Sequence, residues 1–128
     1  MVGHGIADDL VGRVWRQAGL FFVLPHDEKL AISRPKENPH GYFDRELTKN
    51  ARDLKEIFDF GPVPHPELPA AHAKNRMAVD GGNQWPTALP EFQFTMIEHY
   101  QACEGLAFTL MEAFCQGLGA PRDRLSRH

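Results

Sequence analysis

The chain has 128 residues, enough for one domain with its own hydrophobic core. Its hydrophobic share of 42% and charged share of 24% exclude an intrinsically disordered protein. The net charge of −3, with basic residues scattered among acidic ones, gives no reason to expect a nucleic-acid partner, and no apolar run approaches the roughly 20 residues that cross a membrane.

The N-terminal residues lack the basic and long apolar segments of a signal peptide. Residues 6–20 predict an amphipathic helix because apolar side chains recur at three- and four-residue spacing. Asp8 and Asp9 suit the positive end of that helix. The apolar run at 20–24 either continues the helix or forms buried chain.

A second short helix is predicted after this run. Pro25 fits its first turn, and Leu30 and Ile32 are expected to face inward. Residues 34–41 contain two prolines, an Asn and a Gly, which indicates a loop.

Short strands and a long connection are predicted in the middle of the chain. Gly41-Tyr42-Phe43 is expected to open a strand, whereas the periodicity of residues 53–60 leaves strand and helix equally open. Residues 61–90 hold six of the ten prolines, which indicates a long irregular connection of the kind that is often functional or mobile.

The last element is a predicted helix of about seven turns at 92–118. Pro90 marks its start, and Gly117 and Gly119 form a stop signal. We therefore expect one domain over 1–121, followed by a basic tail over 122–128.

Two cysteines lie in this helix, twelve positions apart. At the rise of an α-helix, Cys103 and Cys115 would be about 18 Å apart, far beyond the reach of a disulfide. Free thiols favour a cytoplasmic protein.

Seven histidines raise the question of a metal site. A mononuclear iron(II) site needs two imidazoles and one carboxylate on one face. The nearest pattern is His65-Pro66-Glu67, with His72 beyond it, and its proline-rich loop is a poor platform for a preorganised site. We therefore predict no metal ligand and no catalytic residue in this chain, and no bound cofactor.

Three aromatic residues beside Gly or Pro, namely Tyr42, Phe43 and Trp85, are the candidates for lining a substrate pocket. Packing in the core is the more common role of such residues, and both interpretations stay open at this point.

Several motifs, in this order, carry a resemblance that covers nearly the whole chain. They are His4-Gly5, Leu24-Pro25-x-x-Glu28-Lys29, His40-Gly41-Tyr42, Lys55-Glu56, Asn83-Gln84-Trp85-Pro86 and the helix end Gly117-Leu118-Gly119. The chain resembles the N-terminal region of the non-haem iron(II), 2-oxoglutarate-dependent dioxygenases, the family that includes isopenicillin N synthase.

The resemblance implies an α+β, mainly helical fold in which N-terminal helices and short strands, including one over 53–60, flank a jelly roll. Nothing in this chain corresponds to the jelly roll, where the family binds iron(II) and 2-oxoglutarate. The chain would then be the non-catalytic N-terminal part of an oxygenase of small molecules, with the C-terminal jelly-roll half of the parent enzyme as its partner. This hypothesis predicts that the strands at 41–43 and 53–60 lack partners.

Two alternatives remain open. One is a stand-alone binding or oligomerisation module that self-associates through exposed apolar surface. The other is a self-sufficient metalloenzyme, which would require stoichiometric iron bound through His65 and His72.

Overall fold

The structure is a computed structural model that describes residues 3–48, 51–63 and 82–124. The helices in this part are α1 (Asp8–Phe22), α2 (His26–Leu30) and α3 (Pro90–Gly117). The strands are β1 (Gly41–Phe43), β2 (Leu47–Thr48), β3 (Ala51–Arg52) and β4 (Ile57–Asp59). The predicted α+β, mainly helical class is confirmed.

Helix α1 forms because one of its faces is apolar and its first turn is acidic. Leu10, Gln17 and Phe21 are its buried residues, and they share one face at spacings of seven and four. The backbone N–H of Val23 bonds to the carbonyl of Gly19 and ends the helix. The apolar run at 20–24 therefore continues the helix as far as Phe22.

Helix α2 follows Pro25 as predicted, but a different side chain faces inward. Lys29 is buried, whereas Leu30 is 36% exposed, so the prediction for Leu30 is wrong. Ile32 does pack against the core. The physical reason is that the Lys29 ammonium group bonds to Glu56 and to the carbonyl of Phe22, as described below.

Strands β1 and β4 pair antiparallel, with Gly41 opposite Asp59 and Phe43 opposite Ile57. The expectation that these segments lack partners is therefore wrong, because they pair with each other. On the other edge of β1, a parallel bridge joins Tyr42 to Ser33. Strands β2 and β3 form a separate hairpin, and no strand in the described ranges pairs with the second edge of β4.

The core lies where α1, the β1–β4 pair and the first half of α3 meet. Its buried members are Phe21, Tyr42, Phe92 and Met96. The rings of Phe21 and Phe92 stack at a centroid distance of 5.0 Å, and Phe58 contacts Phe92 edge-on at 5.1 Å. The contacts of helix α3 with this core thus lie in its N-terminal half.

The end of α3 is a Schellman motif. Gly119 has a φ of 69°, a left-handed conformation that glycine adopts without steric cost. Its N–H bonds to the carbonyl of Gln116 at 3.0 Å, and the N–H of Ala120 bonds to the carbonyl of Cys115 at 2.9 Å. This confirms the stop signal in the sequence. Beyond it, Arg122 pairs with Glu112 at 3.3 Å, and the domain boundary at 121 stays a prediction.

The C-terminal half of α3 carries apolar side chains that the molecule leaves exposed. We call Leu110, Met111, Phe114 and Leu118 the α3 stripe, since their spacing of one, three and four residues places them along one side of the helix. Phe114 is 62% exposed and Leu118 is 84% exposed.

None of the described helices combines the length and apolar character that a bilayer-spanning segment requires.

Candidate functional site

Two sequence motifs that lie more than forty residues apart meet at β1. The side-chain amide of Gln84 donates hydrogen bonds to the backbone carbonyls of Ser33, at 3.2 Å, and His40, at 2.8 Å. Gly41 has a φ of 125°, and a Cβ there would overlap the carbonyl oxygen of Ile32 and the Gln84 amide. The close approach of these backbones therefore requires glycine at this position.

Asn83 holds the end of the strand region in a similar way. Its side-chain amide donates to the carbonyl of Gly61 at 2.9 Å, and its oxygen accepts from the N–H of Gly61 at 2.8 Å. The side chain thus pairs with Gly61 as a neighbouring strand would. As a result, the two ends of the connection over 64–81 are fixed to each other.

Lys29 is a buried side chain at the centre of a polar group that also includes Tyr42 and the more exposed Glu56. Its ammonium donates to Glu56 at 2.6 Å and to the backbone carbonyl of Phe22 at 3.0 Å. The hydroxyl of Tyr42 donates to the same Glu56 oxygen. Lys29 also lies over the Tyr42 ring, 5.5 Å from its centroid. The group therefore links α1, α2, β1 and the residue before β4.

The charge on Glu56 is stabilised by this arrangement. The hydrogen bond from Lys29, and next that from Tyr42, hold the pKa of Glu56 below its ordinary value, and partial burial opposes them. Glu56 is accordingly ionised at neutral pH and is a structural anchor rather than a proton donor.

Phe43 faces the opposite side of β1 from Tyr42, because successive side chains in a strand alternate. The guanidinium of Arg34 lies over its ring, 4.0 Å from the centroid, and pairs with Asp59 at 2.8 Å. Phe43 and the segment 34–39 line an open cavity of about 450 Å³. Among the three aromatic candidates, Phe43 is the one that borders this cavity.

The other two aromatic candidates pack in the interior. Tyr42 is 1% exposed, and its ring contacts Phe21. Trp85 is half-buried, with its ring 5.4 Å from Phe60 and 5.7 Å from Phe58. The structure thus places Tyr42 and Trp85 in or against the core and Phe43 apart from them. A pocket role for these residues stays a prediction.

A smaller cavity of about 240 Å³ lies beside His26, Asp44 and Glu56. The Nε2 atom of His26 is 3.0 Å from a carboxylate oxygen of Asp44. Among the described residues that line this cavity there is no serine, threonine or cysteine, so none of them offers the pair a hydroxyl or thiol nucleophile.

Lys29, Arg34, Asn83 and Gln84 were not among the residues that the sequence singled out for a site. Lys29, Asn83 and Gln84 do stand in motifs of the family resemblance, which was the available signal. Arg34 carried no signal, because its partner Asp59 lies 25 residues away and becomes a neighbour only in the folded sheet.

The described residues do not supply an iron site. Within residues 3–48, 51–63 and 82–124, no three His, Cys, Asp or Glu side chains are grouped so that they hold a metal ion. His65 and His72 lie outside the described residues.

Comparison with protein families gives a match over residues 1–88, to the family described as non-haem dioxygenase in morphine synthesis N-terminal. Two curated relatives are homoarginine-6-hydroxylases. The protein of Arabidopsis thaliana is 29% identical over 123 residues, which make up 93% of this chain and 33% of the relative. The protein of Oryza sativa subsp. japonica is 30% identical over 125 residues, 94% of this chain and 37% of the relative.

Among solved structures, the chain is similar to a 2OG-Fe(II) oxygenase family protein from Caulobacter crescentus. The TM-score is 0.77 at 23% identity, and the match covers 95% of this chain and 39% of the other. This similarity shows the fold. The chain therefore spans about a third of the length of the proteins that it matches.

Proposed function

The chain belongs to the non-haem dioxygenase N-terminal family, as its motifs predicted, and from this we propose that it serves as the N-terminal part of an iron(II)- and 2-oxoglutarate-dependent oxygenase of small molecules. Its role in that enzyme is to support the catalytic part and to border the substrate site. The chain matches only about a third of the length of these homologues.

The observation that carries this proposal is the α3 stripe. A helix in a small protein normally buries its apolar face, yet Phe114 and Leu118 are mostly exposed while Met96, on the same helix, is buried. A contiguous apolar surface of this kind marks a contact with another part of a protein. We infer that the C-terminal half of the parent enzyme covers the stripe and extends the sheet at the second edge of β4.

Iron(II) and 2-oxoglutarate, which supply the oxidising chemistry of the family, would be held by that C-terminal half. The grouping of side chains in the described residues supports this assignment, because it offers no three-ligand set. In this proposal the chain contributes no iron ligand and is inactive by itself.

Phe43 is the residue that we place at the substrate. It borders the open cavity, and the stacked Arg34 guanidinium holds its ring in position. Tyr42 and Trp85 then act on the substrate indirectly, since they pack the core on which β1 rests. Substituting Phe43 with Ala in the whole enzyme should raise KM for the substrate and leave the affinity for 2-oxoglutarate unchanged.

The reading frame that follows codon 128 tests the assignment. We expect it to encode His-x-Asp, a later His and Arg-x-Ser, as in the family. Hydrogen exchange then tests the docking surface: amides of residues 110–118 should exchange rapidly in the 128-residue chain and at least tenfold more slowly in the longer product. Equal rates in the two proteins would show that the α3 stripe is not the contact.

The same stripe favours a second candidate function, a stand-alone module that self-associates. In that case the purified chain forms a discrete dimer, which Phe114→Ser disrupts and Trp15→Ser does not. Trp15 is a suitable control because it is 75% exposed but lies on α1. A monomer at all concentrations in sedimentation analysis would exclude this function.

We further propose a cytoplasmic location, which the two free cysteines support. Alkylation of both thiols in freshly lysed, unreduced cells tests it. A disulfide between either cysteine and another protein would contradict it.

A further inference from the structure

The guanidinium of Arg34 is held in the wall of the open cavity, yet only part of it is bonded. Its central carbon lies over the Phe43 ring, 4.0 Å from the centroid, and its Nη1 atom donates to Asp59 at 2.8 Å. Among the described residues, the Arg34 side chain makes no second hydrogen bond. Since an arginine side chain carries five N–H donors, most of them are left for a further partner.

Arg13 shows how a fully engaged guanidinium is bonded in the same molecule. It donates to Glu98 through both terminal nitrogens, from Nη1 at 2.7 Å and from Nη2 at 2.8 Å. This two-bond fork is the geometry in which arginine recognises a carboxylate most specifically. Asp59 does not form the fork with Arg34, because only Nη1 bonds to it. The contact with Asp59 thus orients Arg34 without using up its donors.

The rest of the cavity wall suits a small organic anion. Two proline residues and Phe43 supply apolar surface, and Lys36 adds a second cation. Lys36 is exposed and forms no ion pair with any described residue, whereas Glu37 is the single acidic residue in the wall. The volume of about 450 Å³ lies in the range of about 300–1,000 Å³ that is usual for small-molecule pockets.

We propose that Arg34 is the carboxylate-binding residue of this cavity, so that the substrate is a small molecule with a carboxylate and an apolar body. The inference rests on the proposed function, which places the substrate beside Phe43. The remaining N–H groups of Arg34 donate to the carboxylate oxygens, and Phe43 contacts the apolar body. Asp59 is a positioning residue. Because it and the Phe43 ring orient the guanidinium before a ligand arrives, less side-chain entropy is lost on binding.

Binding of benzoate and of its neutral amide, benzamide, tests the proposal on the complete 128-residue chain. The two probes share a ring and are nearly equal in size, so a difference between them reports the carboxylate. At matched ionic strength, benzoate should shift the NMR resonances of residues 34–43 saturably, with a Kd at least tenfold lower than that of benzamide. Arg34→Gln should abolish this preference. Arg13→Gln is the matched control and should keep it, because the Arg13 donors are already taken by Glu98.

A measurement on the wild-type chain keeps the test independent of how the variants fold. Benzoate should shift the Nε–Hε resonance of Arg34 and leave that of Arg13 in place. Absence of saturable benzoate binding, equal binding of benzamide, or a shift at Arg13 instead of Arg34 would each overturn the proposal.

Titration with 2-oxoglutarate distinguishes the two possible sources of a carboxylate. It lacks an aromatic body, so it should bind this cavity more weakly than benzoate does. Tighter binding would assign the cavity to the co-substrate and overturn the proposal. The result is separable from the tests of the proposed function: if hydrogen exchange finds no docking surface at 110–118 while benzoate binds at Arg34, the proposed function fails and the carboxylate site remains.

Discussion

Lys29 shows how one side chain fastens several segments of this fold. It is 5% exposed, and its ammonium contacts the end of α1 through the Phe22 carbonyl and the segment before β4 through Glu56. Burying an ammonium is costly unless it is paired and fully hydrogen-bonded. The favourable geometry here explains why a lysine occupies an inward position of α2.

Replacing Lys29 by Met should lower the free energy of unfolding by roughly 1–3 kcal/mol, because the Phe22 carbonyl and the Glu56 carboxylate lose their partner. Urea denaturation measures the change. Lys55→Met is the control: Lys55 is half-exposed and 3.9 Å from Asp53, so its loss should cost about 0.5 kcal/mol or less. Equal effects of the two substitutions would contradict the assigned role of Lys29.

Because of Glu56, the free energy of unfolding should change with pH in the acid range. Its pKa in the folded chain is lowered by Lys29 first and Tyr42 second, so it lies below the unfolded value of about 4.3. The contribution of Glu56 is therefore fully present above that value and is lost as the pH falls through the folded pKa.

In Glu56→Gln this contribution is absent at every pH. We expect the wild type to be the more stable protein at about pH 6, and the two urea midpoints to converge towards about pH 3. Glu28→Gln, at an exposed position of α2, should run parallel to the wild type. A constant difference between wild type and Glu56→Gln across the range would refute this account.

Among the elements, β1 is the strand on which the others are aligned. It pairs with β4 on one edge and meets Ser33 on the other, and Gln84 donates to the carbonyls of Ser33 and His40. Three segments thus approach one short strand closely, and the space for a side chain at Gly41 disappears.

Gly41→Ala should therefore destabilise the protein by about 2 kcal/mol or more, because it adds left-handed backbone strain to a steric overlap with Ile32. Gly12→Ala is the matched substitution, since no atom lies within 4 Å of a Cβ there and the site is in the middle of α1. It should be neutral or stabilising by up to about 1 kcal/mol. Thermal unfolding distinguishes the two, and a tolerated Gly41→Ala would disprove the close approach.

Replacing a large apolar side chain by alanine should reduce the stability of the protein much more in the first half of α3 than in the second. Met96 is 6% exposed in the core, so Met96→Ala should cost about 2–5 kcal/mol. Phe114→Ala should change the stability of this chain by only about 0.5 kcal/mol, because the side chain is mostly exposed. Chemical denaturation of both variants measures this. A large loss in Phe114→Ala would mean that the α3 stripe is already covered within the chain.

At the scale of the whole molecule, the elements with long periodic patterns and clear end signals could be predicted from the sequence. Helix α3 begins at Pro90 and ends before Gly119, as its pattern indicated. Periodicity could not find the strand limits within 53–60, because the apolar residues there do not share one environment: Leu54 is 95% exposed, and β4 spans only Ile57–Asp59.

The candidate site was predictable only in part, because its geometry depends on tertiary contacts. The sequence named Tyr42 and Phe43 together, but strand alternation places them on opposite faces. It also had no means of showing that Asn83 and Gln84 bond to backbone atoms near 61 and 40. Motif order identified the family, whereas the contacts between motifs required the folded structure.

Because Asn83 pairs with Gly61, the arrangement of the helices and strands does not depend on the length of the connection between these two residues. The Asn83 side chain binds the main-chain N–H and carbonyl of Gly61, so this pairing uses no side chain of the residues between them. The entropy cost of closing a loop rises slowly with its length, by about 0.6 kcal/mol for each doubling. Evolution is therefore free to vary the size and chemistry of that stretch without disturbing the scaffold, which makes it a natural place for a new specificity to arise.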